Sequence, residues 1–322
     1  MPVKLILGFL VSMIIVLVAM PYFIEFLKKE SLRQSVSEYA LPEDQQKAGT
    51  PIMGGLLFII VPIIVTLLTS PDARLDMDVW IVLLAFAGYG IIGFIDDYLI
   101  AIKRNNDGLS AKAKFGLQLL LAVVFFLLYR SHANLEIIIP FSHKVIHLGW
   151  GYFILVLLMF TGSSNAINLT DGMDGLAAGI CIIAFIPYLI VSILQGRPGL
   201  QMFIVCLIGA LVGYLYYNKK PARIFMGDCG ALALGGALAA IAMVTKMELE
   251  LVVIAGVPVL ETLSVILQVL AVKTVHHRIF SYTPIHYAFR LKGIPEKSVV
   301  IMFWAAEAVF AALGLWLCIN AL

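Results

Sequence analysis

Five aspartates stand where an otherwise apolar chain turns polar. They are Asp96 and Asp97 in GFIDDY, Asp171 and Asp174 in NAINLTDGMDGL, and Asp228 in IFMGDCG. A carboxylate at the edge of a bilayer is unfavourable unless it is paired, hydrated or bound to a cation. Glycines beside them, such as Gly172 and Gly175, let the backbone approach a ligand closely. Acidic, glycine-flanked turns gathered on one face suit a hard divalent cation together with phosphate oxygens. That chemistry points to an enzyme rather than a scaffold.

The roles must divide, because Mg²⁺ takes one or two carboxylates and fills the rest of its shell with substrate oxygens and water. Asp228 lies in a glycine-rich turn that opens a helix, where backbone amides favour an anion. A carboxylate there either caps the helix or holds Mg²⁺ against phosphates. Asp96 and Asp97 close the third apolar run. Carboxylates are unfavourable at a helix C-terminus, so this pair needs a metal or a lysine as partner. Asn165, Asn168, Asp171 and Asp174 recur every three residues and line one face if the stretch is helical. Capping between two helices is the plainer reading, but it leaves four polar groups without a basic partner. Lys47, in the turn QKAGTPIMGG, suits a phosphate contact. Lys112 and Lys114, just before the fourth run, divide between phosphate contacts and membrane anchors. Glu261 and Gln268 interrupt an apolar run in which Pro258 kinks or breaks the helix, and a bent helix opens a lipid-facing groove. His276 and His277 sit beside Arg278, as interface residues do, whereas His286 in TPIHYAFRLKG keeps more specific company.

The elements that position these residues are membrane spans. The chain has 322 residues, 61% hydrophobic and 13% charged, with a mean hydropathy of +1.00; no ordinary soluble domain has that composition. Ten apolar runs, at about 3–27, 54–70, 79–95, 115–130, 151–164, 175–195, 199–217, 230–246, 249–272 and 298–321, approach the length needed to cross a hydrocarbon core. The fold class expected is an all-α integral membrane protein of about ten transmembrane helices, forming one domain over residues 1–322. The first run is too long for the core of a cleaved signal peptide and is read as a retained helix.

Basic residues set the orientation. Sixteen of them, from Lys28 to Lys297, fall in loops after odd-numbered runs, and five fall in the opposite loops. The first set is therefore cytoplasmic, both termini face outward, and all five aspartates lie on the cytoplasmic side. On the outer side, LEIIIPF and KVIHLGW flank a polar turn and form a small β-hairpin. Its His143 and His147 lie far from the aspartates, with no catalytic role. The four cysteines have no metal-like spacing, and Cys229 reads as a packing residue. There is no inverted repeat and no midplane polar site, the features a transporter would carry.

KAGTPIMGG, GFIDDY, NAINLTDGMDGL, FMGDCGALALGG and TPIHYAF with GIPEKSVV occur in an order that resembles the polyprenyl-phosphate N-acetylhexosamine-1-phosphate transferases, from about Lys47 to Val300. The TP-MGG turn and the PIH element are similar to the branch that uses UDP-MurNAc-pentapeptide. The resemblance implies Mg²⁺-dependent transfer of phospho-MurNAc-pentapeptide to undecaprenyl phosphate, giving lipid I and UMP at the bacterial plasma membrane. It implies that Asp228 is the Mg²⁺ ligand and that Asp96 and Asp97 handle the lipid phosphate. Asn165, Asn168, Asp171, Gly172 and Asp174 become the nucleoside and diphosphate site. Phe225 is placed to stack on uracil. Lys47 and Gln268 match polar contacts to the donor. His286 matches the first histidine of a triple-histidine motif that continues here as Tyr287-Ala288. The partners implied are the two substrates and the bilayer, with no nucleic acid; a homodimer stays open. Transfer of GlcNAc-1-phosphate from UDP-GlcNAc by the same fold, or transport of an anion, are the alternative readings.

Overall fold

In the computed structural model, residues 2–30, 49–103 and 108–322 are described. Lys47 lies outside them. The chain is helical almost throughout: α1 (Pro2–Lys29), α2 (Gly55–Thr69), α3 (Pro71–Leu75), α4 (Met77–Lys103), α5 (Ala111–Arg130), α6 (Gly151–Thr170), α7 (Leu176–Leu194), α8 (Pro198–Asn218), α9 (Gly227–Thr245), α10 (Leu251–Ile254), α11 (Gly256–Val275), α12 (Ile285–Leu291) and α13 (Glu296–Ile319). Among the described residues nine of these are long and apolar enough to cross a membrane, and α2 is a shorter apolar helix. At about 1.5 Å per residue a 20-residue helix reaches about 30 Å, the thickness of the hydrocarbon core. The all-α, multi-pass expectation holds: nine of the ten apolar runs lie on single helices, and the run at 249–272 is divided between α10 and α11. The hairpin also forms: β1 (Glu136–Ile139) pairs antiparallel with β2 (Lys144–His147), Ile137 opposite Ile146.

The bundle is built around α9. Its sequence, GDCGALALGGALAAIAMVT, is mostly small residues, and 89% of its span is buried inside the protein, against 22% of α5. Helices in lipid gain little from hydrophobic association and depend on close backbone contact at small residues. Gly235 lies against the backbone of Ser163 and Ser164 on α6, and Gly230 packs on Gly55 of α2. The longest shared contact is with α4, where a Cβ at Gly93 would run into the Asp228 carbonyl. The outer helices α1, α5, α11 and α13 leave rows of Leu, Ile and Val exposed, as lipid-facing surfaces require.

One expectation about helix ends is corrected. Asp96 and Asp97 do not close a helix: α4 runs on to Lys103, so the pair lies inside it and is stabilised by side-on contacts rather than by solvent at a terminus. Of the two readings of Pro258, a kink or a break, the structure has the break. The chain breaks at Ala255 between α10 and α11, and Pro258 falls in the first turn of α11, where a missing N–H removes no intrahelical bond. The freed Val257 N–H donates to the buried Glu307 carboxylate at 3.0 Å.

At the opposite end of the bundle from the aspartates, the turn after α9 carries Lys246 and Glu248. The Lys246 ammonium donates to the carbonyls of Asn134 and Glu136, and lies over the rings of Tyr129 and Tyr152, tying the hairpin to the bundle. Glu248 is buried and accepts the Tyr152 hydroxyl at 2.5 Å. Burial pushes the Glu248 carboxyl up from 4.5 to about 7, against the opposing pull of the Tyr152 hydroxyl and Lys246. The folded state thus holds this proton more tightly than the unfolded chain. The stability it contributes is complete below pH 4.5 and is lost as pH rises through about 7. Thermal midpoints in detergent should fall across that window, and Glu248→Gln should flatten the fall. An unchanged slope in the variant would show that another group titrates.

Candidate active site

Three helices meet at one end of the bundle, and the acidic residues meet with them. Asp96, buried in α4, accepts the Leu109 N–H at 2.6 Å through Oδ1 and the Lys114 ammonium at 2.8 Å through Oδ2. Lys114 projects from the first turn of α5, which is capped by Ser110. The same Nζ also donates to Asp228 Oδ2. One ammonium thus bridges carboxylates from α4 and α9. Asn168, on α6, lies beside Asp228 and is placed to favour its charged form. Asp97 faces the other way around α4: its Oδ1 accepts the Asp228 N–H at 3.1 Å and its Oδ2 accepts the Cys229 N–H at 3.0 Å.

The aspartates therefore differ in what their oxygens can still do. Asp96 and Asp97 are almost fully buried, whereas the Asp228 side chain keeps 21% of its surface. Asp228 is the carboxylate open to a ligand, with a cation and a neutral amide beside it. Among the described residues no group of three His, Cys, Asp or Glu side chains forms a closed metal cage. Mg²⁺ needs no such cage, since one or two carboxylates suffice when phosphates and water complete the shell. Asp228, open and with one bridging cation beside it, is a hard oxygen donor that fits this pattern.

The segment NAINLTDGMDGL divides. Helix α6 continues to Thr170, so Asn165 and Asn168 share its face and Asp171 sits at its C-cap. Asn165 donates to Gln118 Oε1 on α5 at 2.7 Å. Asp174 lies beyond the helix and turns inward: its Oδ2 accepts the Ala222 N–H at 3.0 Å, while its own N–H donates to Glu296 Oε1 at 3.1 Å. It braces the α6–α7 turn against α13 and the loop before α9. Gly172 closes the site on another side. Its carbonyl accepts the Tyr287 hydroxyl at 3.1 Å, and a Cβ there would run into His286 Nε2. His286 is fully buried, its Nδ1 3.0 Å from Glu261 Oε1, which joins α12 to α11.

Phe225 packs against the cluster of Ile52, Met53 and Ala101, and its backbone pairs with Pro51 and Gly54. Lys112 is exposed in the same turn as Lys114; two residues along a helix it lies about 200° around the axis and outside the carboxylate cluster. Gln268 stands on α11, where its Oε1 accepts the N–H groups of Ile279 and Phe280 at 3.1 and 2.9 Å. It lines a cavity of about 440 Å³ with Lys273, Arg278 and Tyr282.

Gln118, Asn218 and Glu296 are structural partners of the site that pattern reading did not assign. Asn218 accepts the Gly175 N–H at 3.0 Å and donates to the Ile224 carbonyl at 2.9 Å. The signal for Gln118 was present: a lone amide inside the apolar stretch FGLQLLLAVV is unfavourable unless it has a partner.

The sequence profile described as Glycosyl transferase family 4 matches residues 79–246, the stretch that carries Asp96, Asp97, Lys114, Asn168 and Asp228. A multi-pass helical bundle with this site at one end is thereby defined as a membrane phosphoglycosyl transferase. A phospho-N-acetylmuramoyl-pentapeptide-transferase of Geobacillus kaustophilus is 43% identical over 309 residues, 95% of each chain. One from another Geobacillus strain is 42% identical over 315 residues, 97% of each. One from Bacillus velezensis is 42% identical over 97% of this chain and 96% of its own. The chain belongs to the phospho-N-acetylmuramoyl-pentapeptide-transferase family.

Proposed function

We propose that the protein transfers phospho-MurNAc-pentapeptide from UDP-MurNAc-pentapeptide to undecaprenyl phosphate, releasing UMP and forming lipid I, with Mg²⁺ held at Asp228. The observation that carries the reading is the Lys114 bridge between Asp96 and Asp228. One fixed cation beside one open carboxylate is the pairing that neutralising a diphosphate calls for. Full-length identity to relatives named for this transfer supports the donor. The positive-inside count supports a cytoplasmic site, where a nucleotide donor is available.

Phosphoryl transfer asks mainly for alignment and charge neutralisation. Bound Mg²⁺ would polarise the donor's phosphate oxygens. Lys114 stabilises the charge that develops on the leaving UMP. Asn168 orients the Asp228 carboxylate, and Asp171 with Gly172 forms the floor on which the nucleotide part of the donor rests. The acceptor is a phosphate monoester whose second pKa is about 6, so at neutral pH it attacks largely as the dianion and needs little help from a general base. Transfer is then a single in-line displacement: the acceptor oxygen bonds to the donor's sugar-linked phosphorus as the bond to UMP breaks. The polyprenyl tail lies along the exposed apolar face of α11, below the break before Pro258.

The test is incubation with polyprenyl phosphate and either UDP-MurNAc-pentapeptide or UDP-GlcNAc, with and without Mg²⁺. Radiolabel should enter the organic phase from the first donor only, and only with the metal. Labelled UMP should not exchange into the donor when acceptor is omitted. Product from UDP-GlcNAc would overturn the donor assignment, and acceptor-free exchange would establish a covalent aspartyl-phosphate intermediate in place of single displacement.

A further inference from the structure

We propose that Asp97 is a positioning residue, which caps α9 from the neighbouring helix and so fixes the direction of Asp228, without touching either substrate. The proposal rests on Asp228 being the metal-holding carboxylate. A helix N-terminus leaves backbone amides without intrahelical partners, and the N2 and N3 amides are the ones a capping side chain accepts. In α9 the N-cap is Met226, which makes no side-chain cap bond, and N2 and N3 are Asp228 and Cys229. Those two amides donate to the two oxygens of Asp97. Asp97 thus does from α4 what a serine or aspartate at position 226 would do locally.

The surrounding backbone is shaped to allow this. Gly227 takes φ +68°, and a Cβ there would run into the Asp97 carboxylate. Gly93, one helical turn before Asp97, lets α4 touch the Asp228 carbonyl. The first turn of α9 is therefore held on both sides of Asp228, through its amide and through its carbonyl. A nucleophile or general base needs an oxygen free to meet phosphate, yet Asp97 is 4% exposed and spends both oxygens on amides. Removing the cap leaves two buried amides unsatisfied and lets the turn rotate, which moves Asp228 away from its partners.

The full-length protein in detergent distinguishes the roles through Mn²⁺ binding, read by electron paramagnetic resonance, alongside turnover as a function of metal concentration. Asp97→Asn should weaken Mn²⁺ binding by about 10–100-fold, the usual effect of losing a group that orients a metal ligand, and saturating metal should restore most of the turnover. Gly227→Ala, with Asp97 intact, should weaken Mn²⁺ binding in the same direction. Should Asp97→Asn fail to fold, Gly227→Ala alone decides. Turnover lost in Asp97→Asn with unchanged Mn²⁺ affinity, or unchanged affinity in Gly227→Ala, would overturn the proposal. The underlying metal assignment fails separately, if Asp228→Asn still binds Mn²⁺ as tightly as wild type.

Discussion

Asp228→Asn should lower turnover by about 10³-fold, the scale on which loss of one developing-charge contact is felt, while leaving the bundle folded. The substitution keeps size and keeps an oxygen that Lys114 can donate to. Its N–H, which anchors the residue on Asp97, belongs to the backbone and is unchanged. What disappears is the negative charge, and with it the capacity to hold a hard cation against the donor's phosphates. Circular dichroism and thermal midpoint should therefore stay near wild type while radiolabel transfer into the organic phase collapses. A variant that keeps turnover within tenfold of wild type would remove Asp228 from the chemistry and with it the proposed metal site.

Lys114→Met should be damaging in two ways at once. The side chain fills similar space, but the ammonium that joins Asp96 to Asp228 is gone. Asp96 is 4% exposed, and once the ammonium is gone its Oδ2 has lost that partner while Oδ1 keeps the Leu109 amide. An orphaned buried acceptor costs about 1–3 kcal/mol, so the thermal midpoint should fall. Turnover should fall further, by about 10³-fold, because the same cation is the one proposed to face the diphosphate. Lys114→Arg separates the two effects. A guanidinium still supplies charge and should recover stability. Its planar fork does not reproduce a compact ammonium shared between two carboxylates from different helices, so turnover should recover little. Full activity in Lys114→Arg would mean that charge alone matters at this position and that the bridging geometry does not.

Much of this architecture was readable because membrane spans announce themselves by length and composition. The apolar runs fell on helices, one of them divided at Ala255, and the outer hairpin formed between LEIIIPF and KVIHLGW on either side of their polar turn. Helix ends were harder. Asp96 and Asp97 looked terminal because the apolar count drops there, yet α4 continues to Lys103. The continuation is favourable because Lys114, Leu109 and the α9 amides meet those carboxylates, and none of these lies within a helical turn in the sequence. Asp174 shows the same limit. Its three-residue spacing from Asp171 suggested one polar face, but a turn intervenes, and its carboxylate is held by the Ala222 amide instead.

The residue types alone determined that this chain lives in a membrane and that its carboxylates gather near the ends of spans, and they pointed to phosphates and a hard cation as the chemistry proposed for them. These follow from solvation: an apolar chain of this length has few alternatives to crossing the bilayer, and charges are tolerated only where something pairs with them. Which aspartate does what was decided by tertiary contact. Asp96, Asp97 and Asp228 are chemically identical and two of them are adjacent, so no local pattern can rank them. They became different only when α5 brought one ammonium to Asp96 and Asp228, and α9 turned two backbone amides toward Asp97.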